Sequence, residues 1–213
     1  MSNDYKKWIY LITLAIIWGS SFILIKKSLI GLTPIQLGAL RTFIAGIFVL
    51  LIGSSSLKKI KKFQWKYIIV SSLLGTLFPA FFFAFAITGI DSSVASILNS
   101  LTSLNALIVG TLFFGVVFKR VQLFGVLIGL AGTIILIMES SSLNPNQNYY
   151  YAIFVIASTL MYATNVNIIK RYLQDIRPLA IAAGNYVFIL IPALIVLFFT
   201  DQPDCFIRLF SNS

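Results

Sequence analysis

The sequence predicts an all-α membrane protein, a multi-span helical bundle of about seven transmembrane helices built as an inverted five-helix repeat whose second copy is incomplete. Three observations predict it. The 213 residues are 59% hydrophobic and 10% charged, with a mean hydropathy of +0.95, whereas a soluble domain carries about 25% charged residues. Seven apolar runs approach the roughly 20 residues that cross a hydrocarbon layer about 30 Å thick at about 1.5 Å per residue. Two of these runs repeat the pattern of two others at a constant offset.

The runs cover residues 8–30, 34–53, 66–88, 92–118, 121–138, 149–169 and 178–200, here the first to seventh spans. The first is longer than the apolar core of a secretory signal and no small-residue cleavage site follows it, so it reads as a retained anchor. The second opens on Pro34 and carries Arg41. The third contains Phe78-Pro79-Ala80-Phe81-Phe82-Phe83-Ala84-Phe85, which lacks the period-two alternation of a barrel strand. In the fourth, Ser92, Ser96, Asn99, Ser103, Ala106 and Gly110 recur at steps of three and four, which predicts one polar face along the whole span. The fifth places Gly125, Gly129 and Gly132 at i, i+4 and i+7, a face for helix packing or dimerisation. No strand precedes these glycines, so they are not a dinucleotide loop. The sixth carries Tyr162, Asn165 and Asn167, and the seventh opens on Pro178. Trp8, Tyr10, Trp65, Tyr67 and Tyr149-Tyr150-Tyr151 mark span ends, as in a headgroup-level aromatic belt.

Histidine is absent and Cys205 is the single cysteine. That leaves no intramolecular disulfide, no Cys/His zinc cluster and no histidine general base, so neither an enzyme, a metal site nor a cofactor is expected. The net charge of +10 does not indicate nucleic acid, because the basic residues sit in short clusters between apolar runs. With the N-terminus cytoplasmic, twelve of the sixteen fall on the inner side: Lys6, Lys7, Lys58, Lys59, Lys61, Lys62, Lys66, Lys119, Arg120, Lys170, Arg171 and Arg177. This asymmetry predicts a multi-pass protein of the inner (plasma) membrane with its N-terminus inside.

An offset of 144 residues lays Pro178 on Pro34, Lys170 on Lys26, Arg171 on Lys27, and Tyr162-Ala163-Thr164-Asn165-Val166 on Trp18-Gly19-Ser20-Ser21-Phe22. An odd number of spans separates the copies, so the second enters the bilayer upside down. The predicted units are residues 1–139, an outer loop 140–148, and a partial second unit 149–213 made of two helices and a polar tail. Residue 213 falls on position 69 at this offset, which predicts three further helices missing from the second unit.

At Trp18-Gly19-Ser20-Ser21-Phe22 followed by Lys26, Pro34 with Leu40-Arg41, and Gly129-Leu130-Ala131-Gly132, the chain resembles the EamA-type transporters of the drug/metabolite transporter superfamily. Similarity runs over about residues 9–200. The resemblance implies ten helices in two inverted repeats, a central cavity, and export or exchange of amino acids or other small metabolites without ATP hydrolysis. Two departures stand out. Thr102-Ser103 replaces a frequent Thr-Pro, removing a helix break, and Gly115-Val116 replaces Gly-Glu, removing an ion-pair partner.

The candidate substrate-binding residues are Trp18, Ser21, Lys26, Arg41, Asn99, Asn105, Tyr162, Asn165 and Lys170. Each has a plainer alternative. Arg41 costs about 2.5 to 3.5 kcal/mol at a helix centre, and either reaches the headgroups or faces a cavity. Lys26 and Lys170 lie near span ends, where reaching for headgroups or the positive-inside rule explains them without function. Asn99 and Asn105 serve either a polar solute or interhelical hydrogen bonds. Trp18 and Tyr162 are either cavity walls or packing. Asp91 and Glu139 lie at span ends and read as solvated, so proton coupling has no evident carrier. The expected partners are a small-molecule solute, the lipid bilayer and, through the glycine face, a second copy in a homodimer. The cavity is expected between the first, second, fourth and sixth spans. The competing reading is an accessory membrane protein without transport of its own.

Overall fold

The computed structural model describes residues 3–117, 120–143 and 146–200. Lys119, and the polar tail with Asp201, Asp204, Cys205 and Arg208, lie outside the described residues. Those described form helices and short turns, with no strand among them. The helices are α1 (Asn3–Ser28), α2 (Pro34–Gly53), α3 (Trp65–Ser72), α4 (Phe78–Gly89), α5 (Ser92–Asn99), α6 (Leu101–Phe114), α7 (Arg120–Leu143), α8 (Ala152–Tyr172) and α9 (Pro178–Phe199). Adjoining pieces combine into seven stretches long and apolar enough to cross a membrane. The protein is therefore a multi-pass membrane protein.

Local chemistry explains the boundaries. Thr33 caps α2 by accepting from the Gln36 N–H at 3.2 Å, while the Gln36 side chain accepts from the Thr33 N–H at 3.0 Å. Pro34 follows at a position whose N–H would have no helical partner. Inside the helices, the hydroxyls of Thr13, Ser20, Thr42, Thr111, Ser158 and Thr164 donate to carbonyls one turn earlier. Hydroxyl groups are thereby made compatible with hydrocarbon. The α1–α2 and α8–α9 connections both have five residues, and the helix ends Ser28 and Tyr172, like the starts Pro34 and Pro178, are related by the same offset of 144.

Two spans depart from the straight helices expected. In the third, α3 passes into α4 through a π-helical turn, Leu73–Leu77, closed by the Phe78 N–H on the Leu73 carbonyl. Pro79 has no N–H for the Gly75 carbonyl and its ring crowds that turn, so the backbone widens there. In the fourth, the helix breaks at Ser100 between α5 and α6, although no proline is present. The span also stops at Phe114 rather than reaching 118, because Gly115 adopts a left-handed φ of 65° and the Val116 N–H returns to the Gly110 carbonyl at 2.9 Å.

Close helix packing within the chain uses glycines of α2 rather than those of α7. A Cβ on Gly38 would lie 2.6 Å from the Phe81 ring, one on Gly46 2.6 Å from Leu190, and one on Gly53 2.9 Å from Ala183. These contacts press α2 against α4 on one side and α9 on the other. Around Gly125, Gly129 and Gly132, nothing lies within 4 Å of a Cβ position. The face expected to pack helices is open within the chain, and α7 is mostly exposed.

Two apolar clusters tie the bundle at its ends. One joins Ile25, Leu37, Ile87, Ile90, Val94 and Val155; the other joins Ile60, Ile68, Leu173, Ile176 and Ile181. Near the second, Tyr67 stacks on Tyr172 at 4.0 Å and Trp65 meets Phe188 edge-on at 5.6 Å. Gly38→Ala is expected to destabilise the solubilised protein by about 1–3 kcal/mol, through overpacking against Phe81. Gly129→Ala is expected to change it by no more than about 1 kcal/mol in either direction. Denaturation of both variants in the same detergent makes the comparison.

Candidate functional site

The helices that run between the two end clusters line a half-open cavity of about 460 Å³. Along α8, Val155 belongs to one cluster, Leu173 to the other, and Tyr162 lies between them. Along α2 the order is Leu37, then Arg41, Thr42 and Ala45, then Ile60 beyond the helix end. The space is therefore near the middle of the bundle. Its aromatic side is built from Phe22, Phe83 and Tyr162: Phe22 meets Phe83 edge-on at 5.4 Å, and Phe83 stacks with Tyr162 at 6.1 Å. Polar groups on the wall come from Ser21, Arg41, Thr42, Thr76, Asn99, Tyr162 and Tyr186.

Arg41 decides the electrostatics. It remains solvent-accessible in the cavity, within electrostatic range of Tyr162 and Tyr186, and has no carboxylate partner among the described residues. Asn99 sits at the last turn of α5, where the helix breaks, and accepts from the Thr102 hydroxyl at 3.4 Å. The arrangement offers one fixed cation, several neutral donors and acceptors, and an apolar wall. It can bind and orient a small polar solute, and among the described residues no cluster of His, Cys, Asp and Glu could hold a metal ion.

Five of the nine expected substrate-binding residues line this cavity: Trp18, Ser21, Arg41, Asn99 and Tyr162. Asn165 stands one layer back, 9% exposed, with its amide against Gly75 of the cavity wall and its Oδ1 without a partner among the described residues. Asn105 is turned away and donates to the Thr159 hydroxyl at 2.9 Å. Lys26 does not line the cavity; it is paired with Asp91, the two side chains being 51% and 25% exposed. Asp91 is thus engaged rather than free in solvent, and its N–H also donates to the Gln147 side chain at 2.9 Å. Lys170 is exposed in the last turn of α8, away from the cavity, where a cation complements the helix dipole.

The polar stripe of the fourth span, interrupted at Ser100, meets three different surroundings. Asn99 faces the cavity; Ser103 faces a second groove of about 370 Å³ that also includes Gly125 and Gly129 of α7; Gly110 lies against Asn167 of α8. Asn167 donates to the carbonyls of Ala106 and Ala163, each at 2.9 Å, and Arg171 donates to the Phe114 carbonyl at 3.1 Å. With Asn105–Thr159 these form a seam between α6 and α8. Arg171 thus ties the end of α8 to the last carbonyl of α6.

The third and seventh spans, not expected at the cavity, contribute Gly75, Thr76, Pro79, Ala80 and Phe83, and Tyr186. Two signals pointed there. Pro79 interrupts an apolar span, and Tyr186 falls on Thr42 at the 144-residue offset, just as Tyr162 falls on Trp18.

A family model described as "EamA-like transporter family" matches residues 6–138. A curated relative from Archaeoglobus fulgidus, described as an uncharacterized transporter, is 27% identical over 193 residues, covering 88% of this chain and 66% of its own length. The chain thus spans slightly under two thirds of that relative. No solved structure matches it significantly.

Single cysteines test the cavity wall in a Cys205→Ser background. A membrane-impermeant thiosulfonate is expected to label Ser21→Cys and Asn99→Cys quickly and Asn167→Cys slowly. Equal rates at the three positions would contradict the lining described.

Proposed function

Since the chain belongs to the EamA-like transporter family, we propose that it carries small polar metabolites, amino acids among them, across the plasma membrane by alternating access. The observation that carries this reading is the cavity: polar and charged groups gathered midway along apolar helices, between apolar clusters toward each end of the bundle. Polar groups at that depth are expensive unless they face water or a solute. In this reading Trp18, Ser21, Arg41, Asn99 and Tyr162 bind the solute directly, Asn165 supports the wall, and Lys26 with Asp91 ties α1 to the α4–α5 turn.

The reading also takes residues 1–139 and 149–213 as two units inserted in opposite directions, with the N-terminus cytoplasmic. The paired cavity positions Trp18 and Tyr162, and Thr42 and Tyr186, support it, because a midplane site at a repeat interface draws on equivalent positions of both units. Rocking one unit against the other would expose the cavity first to one side and then to the other. The open glycine face of α7 is the surface through which a homodimer would form.

Counterflow in proteoliposomes tests transport. Vesicles containing the chain and loaded with an unlabelled amino-acid mixture are expected to accumulate labelled amino acid transiently, with Asn99→Ala and Trp18→Ala several-fold slower. No accumulation above protein-free vesicles contradicts the transport reading. Reporter fusions after Ser28 and after Tyr172 are expected to report opposite sides of the membrane; the same side would contradict the inverted arrangement.

A further inference from the structure

We infer that the solute recognised here is an organic anion, a carboxylate on a compact apolar body, held by Arg41 with the Tyr162 and Tyr186 hydroxyls beside it. This rests on the transport reading and names its substrate class. The argument begins with charge. Arg41 stays protonated under all physiological conditions, and it faces the cavity without a carboxylate partner among the described residues. The acidic residues described in side-chain detail are engaged or distant: Asp91 is paired with Lys26, and neither Glu139 nor Asp175 lines the cavity. A fixed cation among apolar helices, with no carboxylate partner among the described residues, favours a ligand that brings the countercharge.

The chemistry of the remaining wall narrows the class. A carboxylate accepts two parallel hydrogen bonds from a guanidinium, and phenol hydroxyls donate to the same oxygens. Phe22 and Phe83 offer apolar and aromatic surface to the rest of the solute. Among the described residues no anionic side chain lines the cavity to receive an ammonium group; a free amino acid finds there only neutral acceptors such as Asn99. The cavity therefore ranks ligands of the same shape by charge, anion first, zwitterion next, then neutral, with cations last. Its volume of about 460 Å³ lies within the usual range for small-molecule sites, about 300–1,000 Å³.

Four ligands with one side chain isolate the charge: N-acetylleucine (anion), leucine (zwitterion), N-acetylleucinamide (neutral) and leucinamide (cation). Their affinities follow from the concentration dependence of the melting temperature of the full chain in nanodiscs at constant ionic strength. N-acetylleucine is expected to bind about tenfold more tightly than N-acetylleucinamide. Arg41→Lys is expected to keep the order with a smaller ratio, and Arg41→Gln to level anion and neutral ligand. The inference is overturned if the amide binds as well as the anion, if none of the four binds, or if the preference survives in Arg41→Gln. Should Arg41→Gln not fold, the charge series on the unsubstituted chain and on Tyr186→Phe, expected to lose part of the preference, still decides. A chain that moves solutes in counterflow without regard to charge fails this inference alone; one that binds the anion and moves nothing fails the transport reading alone.

Discussion

A polar atom in hydrocarbon needs a partner in the protein or a face toward water, since the solvent offers neither donor nor acceptor. That constraint sorts the polar side chains of this protein into two groups. Some hydroxyls bond the carbonyl of their own preceding turn, as at Thr42 and Ser158. Asn105, Asn167 and Arg171 bond across the α6–α8 seam, and Asn185 donates to Ser71 at 3.3 Å between α9 and α3. Others line the central cavity, with Arg41 as the charge among them. There the bundle leaves polar groups for something other than itself.

The same constraint acts on the backbone. Hydrogen bonding is disturbed mid-span where Pro79 forces a π-helical turn and where Ser100 separates α5 from α6. Both irregularities border the cavity, through Gly75, Thr76 and Pro79 on one side and Asn99 on the other. Helix breaks at membrane depth are tolerated where they are covered by protein or open on a polar space. Asn165 meets this condition by laying its amide on Gly75, a position where any side chain would collide with it. At Ser100 the hydroxyl approaches the Thr133 hydroxyl of α7 to 3.2 Å. The break arises without the proline whose absence suggested a continuous helix, since a serine and neighbouring polar side chains can compete for backbone groups.

Hydrophobic contacts place these features without themselves distinguishing one part of the bundle from another. Glycines Gly38, Gly46 and Gly53 let α2 lie close to both α4 and α9, and Arg41 and Thr42 sit on the stretch between the first two. Association in a bilayer depends on such close van der Waals packing, because lipid tails already solvate apolar side chains. Near the Lys26 end, the Lys26–Asp91 pair, the Gln147–Asp91 bond and the bond from the Asn148 N–H to the Gly89 carbonyl at 2.9 Å join α1, the α4–α5 turn and the segment before α8.

The number of spans, their order, the helix starts at Pro34 and Pro178, and the shared 144-residue spacing of the α1–α2 and α8–α9 helix ends were legible in the sequence. Each follows from local quantities: hydropathy over a span's length, proline geometry, and the spacing of matching residues. Of the five cavity residues, Arg41 and Asn99 were legible because a charge or an amide deep in an apolar run has few roles, and Trp18, Ser21 and Tyr162 because they lie in the two stretches related by the 144-residue offset. Their neighbours were not. Asn99 and Asn105 are both amides of one span, yet one faces the cavity and the other bonds Thr159, since six residues set them about 120° apart around a helix and only the neighbouring helices decide what each meets. Gly125, Gly129 and Gly132 have the better packing pattern, yet other helices approach glycines elsewhere, Gly38, Gly46 and Gly53 of α2 among them. The sequence alone determined that this chain is a stack of membrane-spanning helices with a few polar groups it has reason to keep. Which of those groups meet a partner and which meet open space was decided only in the tertiary structure, because helix rotation and neighbour distance depend on contacts between residues far apart along the chain.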